Sequence, residues 1–259
     1  MYGAAITDET PADGRETLPV VPLTSANPDE TATPADPMID LAGTTVQDGG
    51  QVPQAFTSAL AAHGLVVTPE QLHQVRGASK RQAVLHFIPD GPERLARAEQ
   101  VYATFRTQLA EAYQQSGVAP VAGAEQTFAW LRARDIRIAL NTGFDREITA
   151  LLLAALGWDQ GVADAVVCGD DVSQGRPAPY LIFHALEATG VQSVHRTANV
   201  GDTSLDLQAG HHAGVGWNIG VLSGAHDRAT LSAAPHTHLL ASVADLPGLG
   251  EIISRSTSA

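Results

Sequence analysis

Two hydrophobic rhythms divide the chain. Across residues 51–115 the apolar positions Ala55, Leu60, Leu72, Val75, Val84, Leu85, Leu95, Val101, Phe105 and Leu109 recur at helical spacing, with no strand pattern between them. Thr68-Pro69-Glu70 reads as an N-cap followed by proline at the first helical position. Gly91-Pro92-Glu93 opens a long helix running to about Gln115, and Ser116-Gly117 ends it. On both sides of this block short apolar runs appear instead. Met38-Ile39-Asp40-Leu41 reads as a strand, though a weak one, because Pro34, Asp36 and Pro37 crowd its start. After Pro120 the pattern predicts helix 122–134, strand 136–140, helix 147–156, strand 162–168, helix 178–189, strand 197–200, helix 205–213, and strands 215–221 and 238–241.

Strands alternating with helices predict an α/β fold, a doubly wound parallel sheet with an inserted all-helical domain. The expected core comprises residues 37–49 and 118–259, and the insertion residues 50–117. Residues 1–36, rich in Pro, Thr, Ala and acids without any period, read as a disordered acidic leader. Ligands of such sheets sit at the carboxyl ends of the strands.

Charge narrows the partners. The chain carries a net charge of −13. Roughly half of that excess lies in the leader, where Asp8, Glu9, Asp13, Glu16, Asp29, Glu30 and Asp36 face only Arg15. No basic run is present, so nucleic acid and anionic membranes are poor partners. Arg132, Arg134 and Arg137 close a predicted helix, where cations favour the macrodipole. Cys168 is the single cysteine, which excludes an intramolecular disulfide. No apolar run approaches 18 residues and no signal peptide pattern opens the chain, so the expectation is a soluble cytoplasmic protein. Trp130, Trp158 and Trp217 fall in or beside core elements and are expected to pack. Of 15 basic residues, only Lys80 is a lysine. Arginine is a fixed cation, whereas lysine can lose a proton and attack a carbonyl.

Four polar groups fall at predicted strand ends: Asp40-Leu41-Ala42-Gly43-Thr44-Thr45, Asn141-Thr142-Gly143, Gly175-Arg176-Pro177-Ala178-Pro179 and Gly201-Asp202-Thr203-Ser204-Leu205-Asp206. Any one alone reads as a turn or a helix cap. Four in order, each after its own apolar run, read as a site. Together they resemble the haloacid dehalogenase superfamily of aspartate-nucleophile phosphohydrolases, over residues 38–249. The Asp-x-Ala-Gly-Thr-Thr form resembles the superfamily's phosphonatase branch, which also carries Gly-x-x-Lys in its helical cap. Gly77-Ala78-Ser79-Lys80 matches that element.

The resemblance implies a Mg2+-dependent hydrolase that cleaves the carbon–phosphorus bond of a small phosphono-aldehyde. Asp40 would be the nucleophile and Lys80 the Schiff-base former, giving the departing carbon an electron sink. Gly43, Thr44, Thr142, Gly143 and Arg176 would bind the phosphoryl group. Mg2+ would be held by the Asp40 and Asp202 carboxylates and the Ala42 carbonyl, with Asp206 supporting from behind. Ordinary phosphatases of the superfamily carry a leaving-group acid where Ala42 stands. The branch's type enzyme has histidine where Ala83 stands, methionine at Arg76 and tyrosine at Phe144, and neither His73 nor His86 has the expected spacing. A phosphomonoesterase or a non-catalytic phosphate-binding relative are the alternatives. The resemblance also implies a homodimer formed through the caps.

Overall fold

The computed structural model describes residues 37–249; the acidic leader and residues 250–259 of the expected core lie outside the described residues. Six parallel strands form one sheet: β1 (Pro37–Asp40), β2 (Ala139–Asn141), β3 (Ala165–Val167), β4 (Ala198–Gly201), β5 (Trp217–Val221) and β6 (His238–Leu240), in the order β3-β2-β1-β4-β5-β6. The chain reverses its direction of travel across the sheet at β1, which pairs with both β2 and β4. That switch point is where doubly wound sheets hold ligands.

The strand expected to be frail is therefore central. Its proline takes the first position, where a missing N–H is tolerated. Met38 and Ile39 are buried on opposite faces: Met38 packs with Leu181, Ile182 and Ala209, Ile39 with the larger cluster containing Phe128 and Leu152. The helices covering these faces are α5 (Ala124–Arg132), α6 (Arg146–Leu156), α7 (Tyr180–Thr189) and α8 (Ser204–Ala213); a short α9 (Arg228–Ser232) precedes β6.

The strands are shorter than their apolar runs. Residues 136–138 precede β2, because Ile136 N–H closes the end of α5 onto the Leu131 carbonyl at 3.1 Å and Ile138 N–H donates to the Asp164 side chain at 2.8 Å. Of the tryptophans, Trp158 packs edge-on against Phe128 and donates to Glu125. Arg132 and Arg134 spend donors on the carbonyls of Val162 and Trp130.

Between β1 and α5 lie four helices: α1 (Gln51–Ala62), α2 (Pro69–Gln74), α3 (Lys80–Phe87) and α4 (Arg94–Ser116). Thr68 and Gln71 make a reciprocal capping box at α2, and Gly117 ends α4 with φ 71°. α4 buries Val101, Phe105 and Leu109 along one stripe against α1, where Phe56 meets Phe105 edge-on at 5.6 Å. The uniform helical pattern conceals one break. Residues 75–79 are not helical, since Gly77 stands at φ 83° and stops propagation, and α3 begins at Lys80 itself. No described helix is long and apolar enough to cross a membrane.

A polar strut joins the insertion to the core. Arg106 of α4 pairs with Asp145 at 3.3 Å and with Glu147, while Asp145 caps α6 by accepting from Ile148 N–H at 2.9 Å. Asp145→Ala removes both the cap and the buried partner of Arg106. Urea denaturation is expected to show a loss of about 1–2 kcal/mol, and an unchanged midpoint would contradict this account.

Candidate active site

Asp40 ends β1 with 4% of its surface exposed. One cation organises it. Arg176 Nη2 donates to Asp40 Oδ1 at 2.6 Å and also to the Asn141 side chain at the end of β2, while Nε pairs with Asp206 Oδ1 at 2.8 Å. The planar guanidinium thus ties the ends of β1 and β2 to the first turn of α8, a task suited to its fixed fork of donors. Burial pushes Asp40 up to about 6, against the opposing pull of Arg176.

Asp202 follows β4. Its Oδ2 accepts from Ala225 N–H at 2.6 Å and its Oδ1 from the Thr44 hydroxyl at 3.3 Å. Glycines enclose it, since a Cβ at Gly43 would lie 2.2 Å from Oδ2 and one at Gly224 would lie 2.1 Å away. Burial, then the charges of Asp40 and Asp206, raise Asp202 well above the usual carboxylate range. Two buried, raised carboxylates that line one cavity with Ala42 supply hard oxygen donors of the kind that suits a divalent cation. Asp206 has less to offer a metal. Its Oδ1 is paired with Arg176, and its Oδ2 accepts from Thr203 N–H at 3.0 Å in the capping box of α8.

The helical insertion reaches this floor through residues 77–80. Each contact is made where a side chain is missing. A Cβ on Gly77 would meet Thr203 Oγ1 at 2.3 Å, one on Gly143 would meet the Ala78 carbonyl oxygen at 2.7 Å, and one on Gly175 would meet Ser79 Cβ at 3.0 Å. Lys80 N–H donates to the Gly143 carbonyl at 3.1 Å. The Lys80 side chain then enters the cavity, its Nζ 3.4 Å from the Ala78 carbonyl and 5.4 Å from the Phe144 ring centroid. Burial pushes its amine below the ordinary lysine range, Asp40 opposes this, and Arg176 adds to it. The position at the start of α3 acts in the same direction, because a helix N-terminus disfavours a cation.

The resulting cavity has a volume of about 90 Å³. Asp40, Ala42, Lys80, Thr142, Arg176 and Asp202 line it, and so do Gly143 and Asp206. Gly43 and Thr44 are the exceptions among the expected site residues. They stand behind the cavity, where Thr44 supports Asp202 and the Gly43 carbonyl accepts from the Ser223 hydroxyl at 3.1 Å. Ala83 lines the cavity and supplies no proton-handling group. The loop after β5 was not singled out by the motif reading, yet Ala225 N–H holds Asp202, and His226 Nδ1 accepts from Ser204 N–H at 3.0 Å. Its position after a strand's carboxyl end was the available signal.

The profile of the haloacid dehalogenase-like hydrolases matches residues 38–214, which span all four strand-end groups and the helical insertion. The chain belongs to this family. Among similar haloacid dehalogenase-like hydrolases is the phosphonoacetaldehyde hydrolase of Paraburkholderia xenovorans, 31% identical over 202 residues, covering 71% of this chain and 73% of that protein. The enzyme of the same name from Hahella chejuensis is 29% identical over 255 residues, covering 84% and 86%. A hydrolase from Pseudomonas syringae superposes with TM-score 0.75 at 23% identity, covering 84% of this chain and 99% of that one. A phosphonoacetaldehyde hydrolase-like protein from Oleispira antarctica superposes with TM-score 0.74 at 22% identity, covering 87% and 94%. These two superpositions establish the shared fold.

Gly77→Ala tests the seating of residues 77–80. The new methyl collides with Thr203 and is strained at φ 83°, so Lys80 is displaced while the sheet stays intact. Hydrolase turnover is expected to fall about a hundredfold with an unchanged far-UV circular dichroism spectrum. Wild-type turnover would show that the close approach is dispensable.

Proposed function

We propose that this hydrolase cleaves the carbon–phosphorus bond of a small phosphono-aldehyde, with the helical insertion (residues 50–117) acting as the cap over the core. One observation carries the reading: a desolvated primary amine, Lys80, shares a cavity of about 90 Å³ with the buried carboxylate of Asp40. A phosphate ester expels an alkoxide, which only needs a proton. A phosphonate must expel carbon with its bonding pair, and a carboxylic acid does not stabilise that charge.

Lys80 solves this covalently. Its neutral amine adds to the substrate aldehyde and, with uptake of one proton from solvent and loss of water, gives an iminium. Asp40 then attacks phosphorus, the C–P bond breaks, and its electron pair moves into the iminium to give an enamine. Protonation at carbon and hydrolysis by water free the aldehyde product and return the amine. A second water cleaves the aspartyl-phosphate to inorganic phosphate and restores Asp40. The lowered basicity of Lys80 supports this, because the free amine is populated at lower pH than in an exposed lysine.

The remaining side chains position and neutralise. Arg176 holds Asp40 and would balance the phosphoryl charge, and Thr142 Oγ and Gly143 N–H would hold phosphoryl oxygens. Asp40, Asp202 and the Ala42 carbonyl would hold Mg2+, which when bound neutralises charge developing on the phosphoryl oxygens. Asp206 fixes Arg176 behind them. Ala42 leaves the room that a carboxylate would fill. The similar proteins that carry the name phosphonoacetaldehyde hydrolase support the substrate class.

Two experiments decide the matter. Incubation with phosphonoacetaldehyde and borohydride is expected to give a reduced adduct on Lys80 by mass spectrometry, and Lys80→Arg should lose both adduct and turnover. No adduct, together with full turnover by Lys80→Arg, would refute the proposal. Ala42→Asp separates it from ester hydrolysis: the variant should lose C–P cleavage, and a gain in phosphomonoesterase activity over wild type would mark the protein as a phosphatase lacking its acid.

A further inference from the structure

The cavity contains a second guanidinium for which the chemistry above has no use. Arg76 lines the wall from the helical insertion, one residue before Gly77. Arg176 spends its donors on Asp40, Asn141 and Asp206. Arg76 does not. It is half-buried, and its hydrogen bond is a long one, from Nη1 to the Ala225 carbonyl at 3.5 Å. Among the described residues no carboxylate pairs with it. The nearby rings of His73 and His226 are bases and offer it no anion. Asp48, the acid on the same cavity wall, instead accepts from Gly50 N–H at 3.0 Å. The helical insertion also contributes the apolar Leu72, Val75 and Phe56 to the cavity wall.

An arginine presents five donors in a planar fork that matches a carboxylate in two-point contact. A fork left with one marginal carbonyl contact, facing a cavity, has most of its capacity unused. Leaving such a cation half-desolvated has a cost that a bound anion would offset. The phosphoryl group is already provided for at the core floor. The anion for Arg76 must therefore be a different part of the substrate.

We propose that Arg76 is a specificity-determining residue that binds a carboxylate on the substrate. The preferred substrate is then a phosphonate bearing both a carbonyl and a carboxylate, rather than a bare phosphono-aldehyde. This inference rests on reading the cavity as a phosphonate site, but it does not depend on the imine.

The test uses the full chain with Mg2+ and two ligands of matched length, 3-phosphonopropanoate and propylphosphonate, titrated by calorimetry. Neither has a carbonyl, so the result is independent of imine chemistry. Wild-type protein is expected to bind the carboxylated ligand about tenfold tighter or more. Arg76→Met should abolish that preference and leave propylphosphonate affinity unchanged. Arg76→Gln keeps a donor for the Ala225 carbonyl and should also lose the preference, which separates recognition from mere docking of the loop. Equal wild-type affinities, a preference that survives in either variant, or no binding of either ligand would overturn the assignment. A failed borohydride trap alongside an intact carboxylate preference would sink the imine and leave Arg76 in its role.

Discussion

The site depends on how closely two stretches of backbone approach each other. Residues 77–80 lie against three loops of the core, and at Gly77, Gly143 and Gly175 any Cβ would come within 3.0 Å of a neighbouring atom. Real side chains do not tolerate such distances, so absence of a side chain is the condition for contact. The consequence is positional. Lys80 is placed by its own backbone N–H on the Gly143 carbonyl, and its flexible stem does not have to find the cavity unaided. A lysine delivered in this way would lose little extra freedom in the proposed covalent step, which is what orientation contributes.

Electrostatics then explains why the floor is incomplete as protein alone. Asp40, Asp202 and Asp206 are all buried, and among the described residues Arg176 is the only cation in an ion pair with any of them. Asp40 and Asp202 are both raised, first by burial and then by their neighbours. Buried charge of one sign is costly unless it is matched. A divalent cation held by Asp40 and Asp202 would lower that cost. On the proposed reading, substrate and metal together would complete the charge balance of the floor.

Much of this was legible in the residues, and what was not has identifiable causes. The sheet was readable because its strands are short apolar runs bounded by Gly, Asp and Thr, and four of those boundaries carry site groups. Strand ends were placed too early at 136 and 162, because Ile138 and Asp164 exchange bonds in a loop that apolarity alone cannot distinguish from a strand. β1 looked weak because its prolines were visible and its central place was not; a strand flanked on both edges and covered on both faces tolerates poor local propensity. The break before α3 was hidden because apolar positions resume at Val84 and Leu85, beyond a glycine that interrupts the helix. Thr44 was read as a ligand to phosphate, and only the three-dimensional arrangement shows its hydroxyl turned to Asp202. The Ala225 N–H that holds Asp202 is a backbone group, and backbone groups leave no signature in side-chain chemistry.

The scarcity of lysine acquires a physical meaning from these placements. Two cations approach Asp40, and they differ in kind. Arg176 is held by Asp40 and Asp206, which raise its affinity for its proton against the effect of burial. Arginine at that place stays charged through any cycle of ligand binding, as a fixed counter-charge requires. Lys80 is driven the other way by burial and by Arg176 itself. On the proposed chemistry, exchanging the two residues would put a protonatable amine where permanence is needed and an unreactive guanidinium where nucleophilicity is needed. A chain that uses arginine at its other 14 Lys/Arg positions thus carries its one lysine at the place where, on the proposed chemistry, arginine's fixed charge would be a defect.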